Sequence, residues 1–513
     1  MHREQVPFPH EVELKLSVAP AHARRVWKLA ALRTGGTVKP EVRKLYSAYY
    51  DTPDFAFRQG NAAVRLRRES GRWIQTVKVG GTATAGLHSR RELESPVPAQ
   101  LLNYPALVEA GLGKTLGDAS RRRMIGVVFT TTFRRSRAVV EPAPGERVEV
   151  AVDRGEIVAG GHRLPICEIE LELKSGTAQS LFRLARELAA EIPLRLENES
   201  KAERGYRLAA GEADRPVKAK APGLRGDMDV DSAFAEVVAS CLRQLQANER
   251  GLSETDDPEY LHQARVALRR LRCAFGAFSR AVPKTLFQAQ LADLKRIAQT
   301  LGEARDLDVF LTQTLVAAGR GDRADELASL ERRALASARK ARKAVQSLIR
   351  APAYTTLMLD LAEALSGTAW AATRDDDDQK RCARQPLTEF CAGVLARRDR
   401  EVRKRGNGMD RSDADALHRL RIELKKLRYG CEFFAPLYPH KKSRDYLKRL
   451  TALQEILGSL NDCAVASRLL QALGPRRAAA AGYLRGYLAA QSELQLEAFA
   501  RAWPRFDRAR PFW

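Results

Sequence analysis

The stretch EVELKL, residues 11–16, decides how the first half of this chain folds. Read with a period of two it is a β-strand, with Glu11, Glu13 and Lys15 on one face and Val12, Leu14 and Leu16 on the other. The apolar face can pack in a core, so the polar face is the one that needs an explanation. Taken alone it is a solvated surface, because antiparallel sheets often wet one side. The same division recurs downstream, and the recurrence changes the reading.

AVRLRRE sets Arg65 and Arg67 opposite Val64 and Leu66. RVEVAVD sets Arg147, Glu149 and Asp153 opposite Val148, Val150 and Val152. EIELELK sets Glu168, Glu170, Glu172 and Lys174 opposite Ile169, Leu171 and Leu173. Arg90, Glu92 and Glu94 share a parity, as do Thr76 and Lys78. Strands are predicted at 10–17, 62–69, 72–79, 89–95, 127–140, 146–153 and 165–174, and helices at 21–33 and 178–192. Many strands with few helices predict an α+β antiparallel barrel or a strongly curved sheet. If the sheet closes, charges of both signs line its interior, where each must be paired or ligated. Bases placed there can grip phosphate oxygens, and acids can hold a divalent cation.

The chain has 513 residues, too many for one core, and a net charge of +24, which predicts a polyanionic partner. Its seven cysteines form no CxxC pair and read as reduced thiols rather than a disulfide framework or zinc site. No signal peptide and no apolar run near the ~20 residues of a membrane span are found. The expectation is a soluble cytoplasmic protein without a membrane partner. Aromatic content is only 7%, with no basic run interleaved with stacking platforms, which argues against single-stranded nucleic acid. EADRPVKAKAPGLRGD, 212–227, reads as a linker between a domain at 1–211 and one at 228–505. Helical periodicity holds from 228 onward, with DDDDQK at 375–380 as an exposed loop.

In this company the ExExK of Glu11, Glu13 and Lys15 resembles the signature of the CYTH family, the triphosphate tunnel metalloenzymes. The matching pieces follow in order: YYDTPDFAFRQGNAAVRLRRE, WIQTVKVGG, LHSRRELE, FTTTFRRSRAVV, ERVEVAVDRGEI, CEIELELKSG and ENESKAERGY. The resemblance covers about residues 8–210 and implies an eight-stranded antiparallel tunnel. It implies metal ligands at Glu11, Glu13, Glu168 and Glu170, taking Mg²⁺ or Mn²⁺. It implies a catalytic grip on a linear triphosphate by Lys15, Arg65, Arg67, Lys78, Arg135, Arg137 and Lys201, with Glu149 on the water-activating side. Ala151 stands where the pattern leads one to expect an acid. Glu172 and Lys174 read equally well as tunnel wall or as solvated residues beyond its mouth.

The helical half contains a doubled pattern, HQARVALRRLR from His262 and HRLRIELKKLR from His418. The first copy holds Arg265, Arg269, Arg270 and Arg272; the second holds Arg421, Lys425, Lys426 and Arg428. Offsets of 0, 3, 7 and 10 from the histidine fall on one helix face. Asp306 and Asp462 follow their histidines at equal spacing, and Lys295 and Lys448 lie between. Clustered like charges repel unless an anion is expected. This half resembles the CHAD domain over about 228–505. That resemblance implies an all-α domain of two pseudo-symmetric four-helix bundles that binds inorganic polyphosphate in a basic pore. The histidines read as phosphate donors or as structural caps, and the two aspartates as groups that orient bases.

Together these resemblances imply a metal-dependent hydrolase of tripolyphosphate that also binds polyphosphate and gathers at polyphosphate granules. Three alternatives stay open: a polyphosphate-binding protein without turnover, a tunnel enzyme for thiamine triphosphate or ATP, and nucleic-acid binding through the basic helices, which no recognised motif supports.

Overall fold

The computed structural model describes residues 10–33, 38–69, 71–283, 285–319, 324–367, 369–474 and 478–513. They divide into two compact units, one of residues 1–215 with 350–366, the other of 216–349 with 367–513.

The first unit is built on nine strands: β1 His10–Val18, β2 Glu41–Asp51, β3 Ala62–Glu69, β4 Arg72–Thr84, β5 Leu87–Val97, β6 Gly126–Val140, β7 Arg147–Ala159, β8 His162–Ser175 and β9 Leu194–Leu196. Their order is β5-β4-β3-β2-β6-β7-β8-β1-β9, and β1 also pairs with β5. That last pairing closes β1–β8 into an antiparallel barrel. β1 makes closure possible by dividing its length: Glu11 lies opposite Arg90 of β5, while Lys15 lies opposite Glu170 of β8. The alternation read from EVELKL then sets Leu14 and Leu16 in the outer core, with no exposure, and the charged residues inside.

Helix α1, Ala178–Glu191, packs on β1 and β8 through Leu181, Phe182, Leu184 and Leu188. Its Glu191 carboxylate accepts from the backbone N–H groups of Ala30 and Ala31 at 3.0 Å each. This contact helps explain a departure from the predicted helix at 21–33. The segment is a short helix, Pro20–Ala23, followed by two 3₁₀ turns, with Leu29 extended between them. Helix α2, Lys201–Ala209, starts from a reciprocal capping box between Ser200 and Glu203. It presses so closely on β6 that a Cβ at Gly205 would lie 2.1 Å from the Phe129 ring.

Helix Pro352–Leu365 comes from the helical half of the sequence yet belongs to the first unit. It packs on α1, where Arg186 pairs with Glu363 at 2.6 Å, and Thr355 Oγ1 donates to the Leu194 carbonyl.

The second unit is helical. Its long helices are α3 Val230–Glu254, α4 Pro258–Ala277, α5 Gln288–Val309, α6 Ala324–Arg350, α7 Leu387–Gly406, α8 Ala414–Phe434, α9 His440–Leu473 and α10 Ala478–Asp507. α4 packs on α3 and α5, and α8 packs on α7 and α9. The pattern of the first copy is thus repeated by the second, and α4 meets α8 directly. The segment read as a linker lies against this unit: Asn248 bonds both the N–H and the C=O of Val217, and the Lys220 carbonyl accepts from Ser240 and Arg270. Among the described residues no helix is long and apolar enough to cross a membrane.

Candidate active site

The closed barrel encloses a cavity of about 680 Å³ whose wall is charged on nearly every strand. Glu11, Glu13, Lys15, Arg65, Arg67, Lys78, Arg135, Arg137, Glu149, Glu170 and Lys201 all line it, so the structure gathers the sequence-predicted set in one place. Glu172 and Lys174 line it as well, which settles them as wall residues. Glu168 does not reach the cavity: it has no exposure and is held by Lys201 and Arg204.

Behind the wall, the fully buried Asp153 and Glu168 join Glu170, which lines the cavity, in offering carboxylate oxygens within 4.8 Å of one another. Such a group would not stay ionised without cations beside it. Arg135 binds Asp153 with two nitrogens, at 2.7 and 2.6 Å, and also reaches Glu170. Lys201, at the first position of α2, meets Asp153 at 2.7 Å and Glu170 at 2.9 Å. Lys15 binds Glu13 at 2.7 Å and also meets Glu170. Burial pushes the Glu170 carboxyl up, but Lys15, Lys201 and Arg135 outweigh it and hold the group well below its ordinary range. Burial opposes the Lys15 charge in the same way, and Glu13, Glu170 and Glu168 overcome it.

Next to this network Lys78 bridges Glu11 at 2.6 Å and Glu92 at 2.9 Å, and Arg65 lies 3.6 Å from Glu92. Arg137 lies near an open end with 32% of its side chain exposed, within 3.2 Å of Glu41 and 3.7 Å of Glu149. Glu172 is pushed up, first by burial, and also by the nearby Glu11 and Glu149. Lys174, at 2.5 Å, is the cation that already pairs with this carboxylate.

Arg67 differs from its neighbours. No carboxylate pairs with it among the described residues; its Nε donates only to Ser47 Oγ, at 3.3 Å. Burial, with Arg65 and Arg135 beside it, pushes its guanidinium down to about 10. The wall therefore carries a half-buried positive charge that no carboxylate contacts directly among the described residues, Asp153 acting on it only from a distance.

Ala151 faces inward between Glu149 and Asp153, opposite Arg137 and Glu170. Asp153, one pleat further on along the same face, is fully buried and paired with Arg135 and Lys201. The strand parity carried this signal, since Asp153 shares a face with Glu149.

In the second unit α4 and α8 set Arg265 and Arg269 against Arg421 and Lys425, with Asp306 and Asp462 beside them. Lys425 is pushed down to about 6 by burial, then by Arg269, Arg421 and Arg265. His262 is held low by burial and by the nearby Arg305 and Arg269. Arg305, next to Asp306, escaped the sequence reading because the second copy carries Asn461 at the matching place.

Not every repeated base joins this cluster. Arg270 is 2% exposed, bonds Gln244 and the Lys220 carbonyl, and lies over the Phe433 ring. Lys426 is paired with Glu423 and Arg428 with Glu432, each at 2.7 Å. Arg272, Lys295, His418 and Lys448 are exposed.

This is a charged-tunnel barrel followed by a domain with an internally repeated basic helix pair, and known proteins share both parts. The CYTH domain model matches residues 9–206 and the CHAD domain model matches residues 236–471. The chain belongs to the proteins that join a CYTH domain to a CHAD domain. An inorganic triphosphatase of Haemophilus influenzae is 35% identical over 208 residues, which is 39% of this chain and 55% of that protein. The match thus spans little more than half of that relative's length. The crystal structure of the CHAD domain from the plant Ricinus communis is 35% identical, with a TM-score of 0.50, over 58% of this chain and 99% of that one. A Hippeastrum putative adenylyl cyclase with a dominant triphosphatase activity is 16% identical, with a TM-score of 0.27, over 40% of this chain and 97% of that one.

Proposed function

We propose that the barrel hydrolyses a linear triphosphate, with inorganic tripolyphosphate as substrate, and that the helical domain binds inorganic polyphosphate. The observation that carries the first reading is Arg67, a half-buried guanidinium without a direct carboxylate partner among the described residues, beside Arg65 and Arg135 on the cavity wall. An anion of high charge density would complete that wall. Arg65, Arg67, Lys78, Arg135, Arg137, Lys15 and Lys201 are the proposed grip on its phosphoryl oxygens.

Oxygen-only donors of the kind present fit a hard divalent cation. Glu11 and Glu13 of β1 with Glu170 and Glu172 of β8 are the residues that would hold Mg²⁺ or Mn²⁺. Glu168, though the resemblance pointed to it, is closed off by Lys201 and Arg204 and is better read as positioning Lys201. When bound, such an ion supplies charge neutralisation on the phosphoryl oxygens. The chain's own groups straighten the triphosphate, exclude bulk water and, at Glu149, orient the attacking water. The bond broken joins the terminal phosphorus to the bridging oxygen, and pyrophosphate leaves.

The polyphosphate reading rests on Arg265, Arg269, Arg421 and Lys425 facing one another across α4 and α8. One panel tests the scheme: phosphate release from tripolyphosphate, longer polyphosphate, ATP and thiamine triphosphate, each with Mg²⁺, Mn²⁺ or chelator. Release that is fastest from tripolyphosphate, needs metal and is lost in Glu11→Ala supports it. No release from any substrate overturns the enzymatic part and leaves polyphosphate binding as the function.

A further inference from the structure

We infer that the Tyr49 hydroxyl is a further substrate-binding group of the tunnel, donating a hydrogen bond to an oxygen of the phosphoryl group held by Arg65 and Arg67. The inference rests on the triphosphate reading above and adds to it a residue that the charge pattern does not reveal.

The register of β2 and β3 sets it up. Tyr49 lies directly opposite Arg65, and Ser47 directly opposite Arg67. Two hydroxyls therefore stand beside two guanidiniums on one wall. Ser47 accepts from Arg67 Nε at 3.3 Å and has no exposure. Tyr49 lies beside Arg65 across the strand pair, and it lines the cavity although only 4% of it is exposed. The guanidinium beside it can only donate, so it cannot take the phenol proton, which is left to give. Among the described residues no carboxylate or carbonyl takes that proton. The charged groups that act on it most are the cations Arg65, Arg67 and Lys201.

The ring is fixed for this task. It stacks on Phe129 with centroids 4.3 Å apart and planes at 16°, and Phe129 is itself pinned by Tyr206 at 5.1 Å and by the close approach of Gly205. A donor held rigidly beside two cations gains most when an anion arrives, because nothing must be reorganised. The cations also hold the phenol below its ordinary value against the upward push of burial, which makes it a stronger donor.

Tyr49→Phe keeps the stacked ring and removes only the hydroxyl. With tripolyphosphate and metal, kcat/KM is expected to fall about tenfold or more, as for a lost hydrogen bond to a charged group. Ser47→Ala removes the neighbouring hydroxyl, which props Arg67 without reaching the cavity, and is expected to cost much less. A second readout avoids turnover: the wild-type minus Tyr49→Phe ultraviolet difference spectrum isolates the Tyr49 phenolate, whose midpoint should rise when tripolyphosphate is added with chelator. Unchanged kcat/KM in Tyr49→Phe, an equal loss in Ser47→Ala, or an unmoved phenolate midpoint would each overturn the inference. Absence of wild-type turnover on every triphosphate strikes instead at the functional reading on which it rests.

Discussion

Both oxygens of Asp153 are taken by one guanidinium, Arg135, at 2.7 and 2.6 Å, and the carboxylate has no contact with solvent. Lys201 reaches the same group from α2, so a helix is tied to two strands through one buried charge. Asp153→Asn should therefore destabilise the first unit by about 3–5 kcal/mol, the range for breaking a buried pair and stranding its partners. Urea unfolding followed by the near-ultraviolet signal of the barrel would measure it. An unchanged midpoint would mean that Arg135 and Lys201 find other anions.

The same network sets an acid limit. Asp153 and Glu170 are both held below their ordinary values in the folded state, with burial opposing and Arg135, Lys15 and Lys201 prevailing. Groups depressed in this way add stability that is fully present above the unfolded carboxylate value of about 4. It is lost as the pH falls from there through the folded values. The barrel should keep a flat melting temperature down to about pH 5 and lose it steeply below. Asp153→Asn should make that acid slope shallower.

Arg67 gives the opposite expectation. Its charge is half-buried beside Arg65 and Arg135 without a direct acid partner among the described residues, so it burdens the empty tunnel. Arg67→Met should melt no lower than wild type, while KM for tripolyphosphate rises about tenfold or more. Tripolyphosphate should raise the melting temperature of the wild type and raise it much less in the variant. A variant that unfolds early and binds normally would show that Arg67 is structural.

Most of this wall was legible in the sequence because period two separates charge from hydrocarbon in EVELKL, AVRLRRE and EIELELK. β2 was missed for the converse reason. EVRKLYSAYYD puts Glu41, Arg43, Leu45, Ser47 and Tyr49 on one face and Val42, Lys44, Tyr46 and Ala48 on the other, so neither face is uniform. Tyr49 was lost with it. β9 has only three residues, too few for a period. The helix Pro352–Leu365 has a plain helical pattern, and nothing in such a pattern says which unit it will pack on. Arg270 and Lys426 sit one residue off the basic face, at offset 8 from their histidines. One is in the core and the other is paired with Glu423, so a count of bases overstated the cluster.

That distinction can be tested. Arg270→Met leaves Gln244 and the Lys220 carbonyl without their buried donor and should cost about 1–3 kcal/mol of stability. Its polyphosphate affinity should stay within about twofold of wild type at fixed salt. Arg269→Met paired with Arg421→Met should do the reverse, leaving the melting temperature nearly unchanged and weakening binding sharply; Arg265 stays in place because it bonds the Gly302 carbonyl at 2.8 Å and Asp306 at 3.0 Å. Isothermal titration with polyphosphate, alongside melting curves, separates the two.

Lys425 gives the helical site a pH dependence of defined sign. Burial and three neighbouring arginines push its ammonium down to about 6, with Asp462 opposing. On its own helix it faces Arg421, from α4 it faces Arg265 and Arg269, and from α9 Asp462. At neutral pH the empty site therefore holds Lys425 uncharged. A bound polyanion favours the charged form, so binding must take up a proton. Affinity then falls as pH rises above about 6, by up to tenfold per unit, until the bound form also loses its proton. The measurement is polyphosphate binding across that range for wild type and Lys425→Met, with the difference removing the ligand's own titration. Wild type should show the extra slope, and titration in buffers of different ionisation heat should show uptake near one proton that the variant lacks. Equal slopes would place the proton elsewhere, with His262 the next group to test, since burial, Arg305 and Arg269 also hold it low.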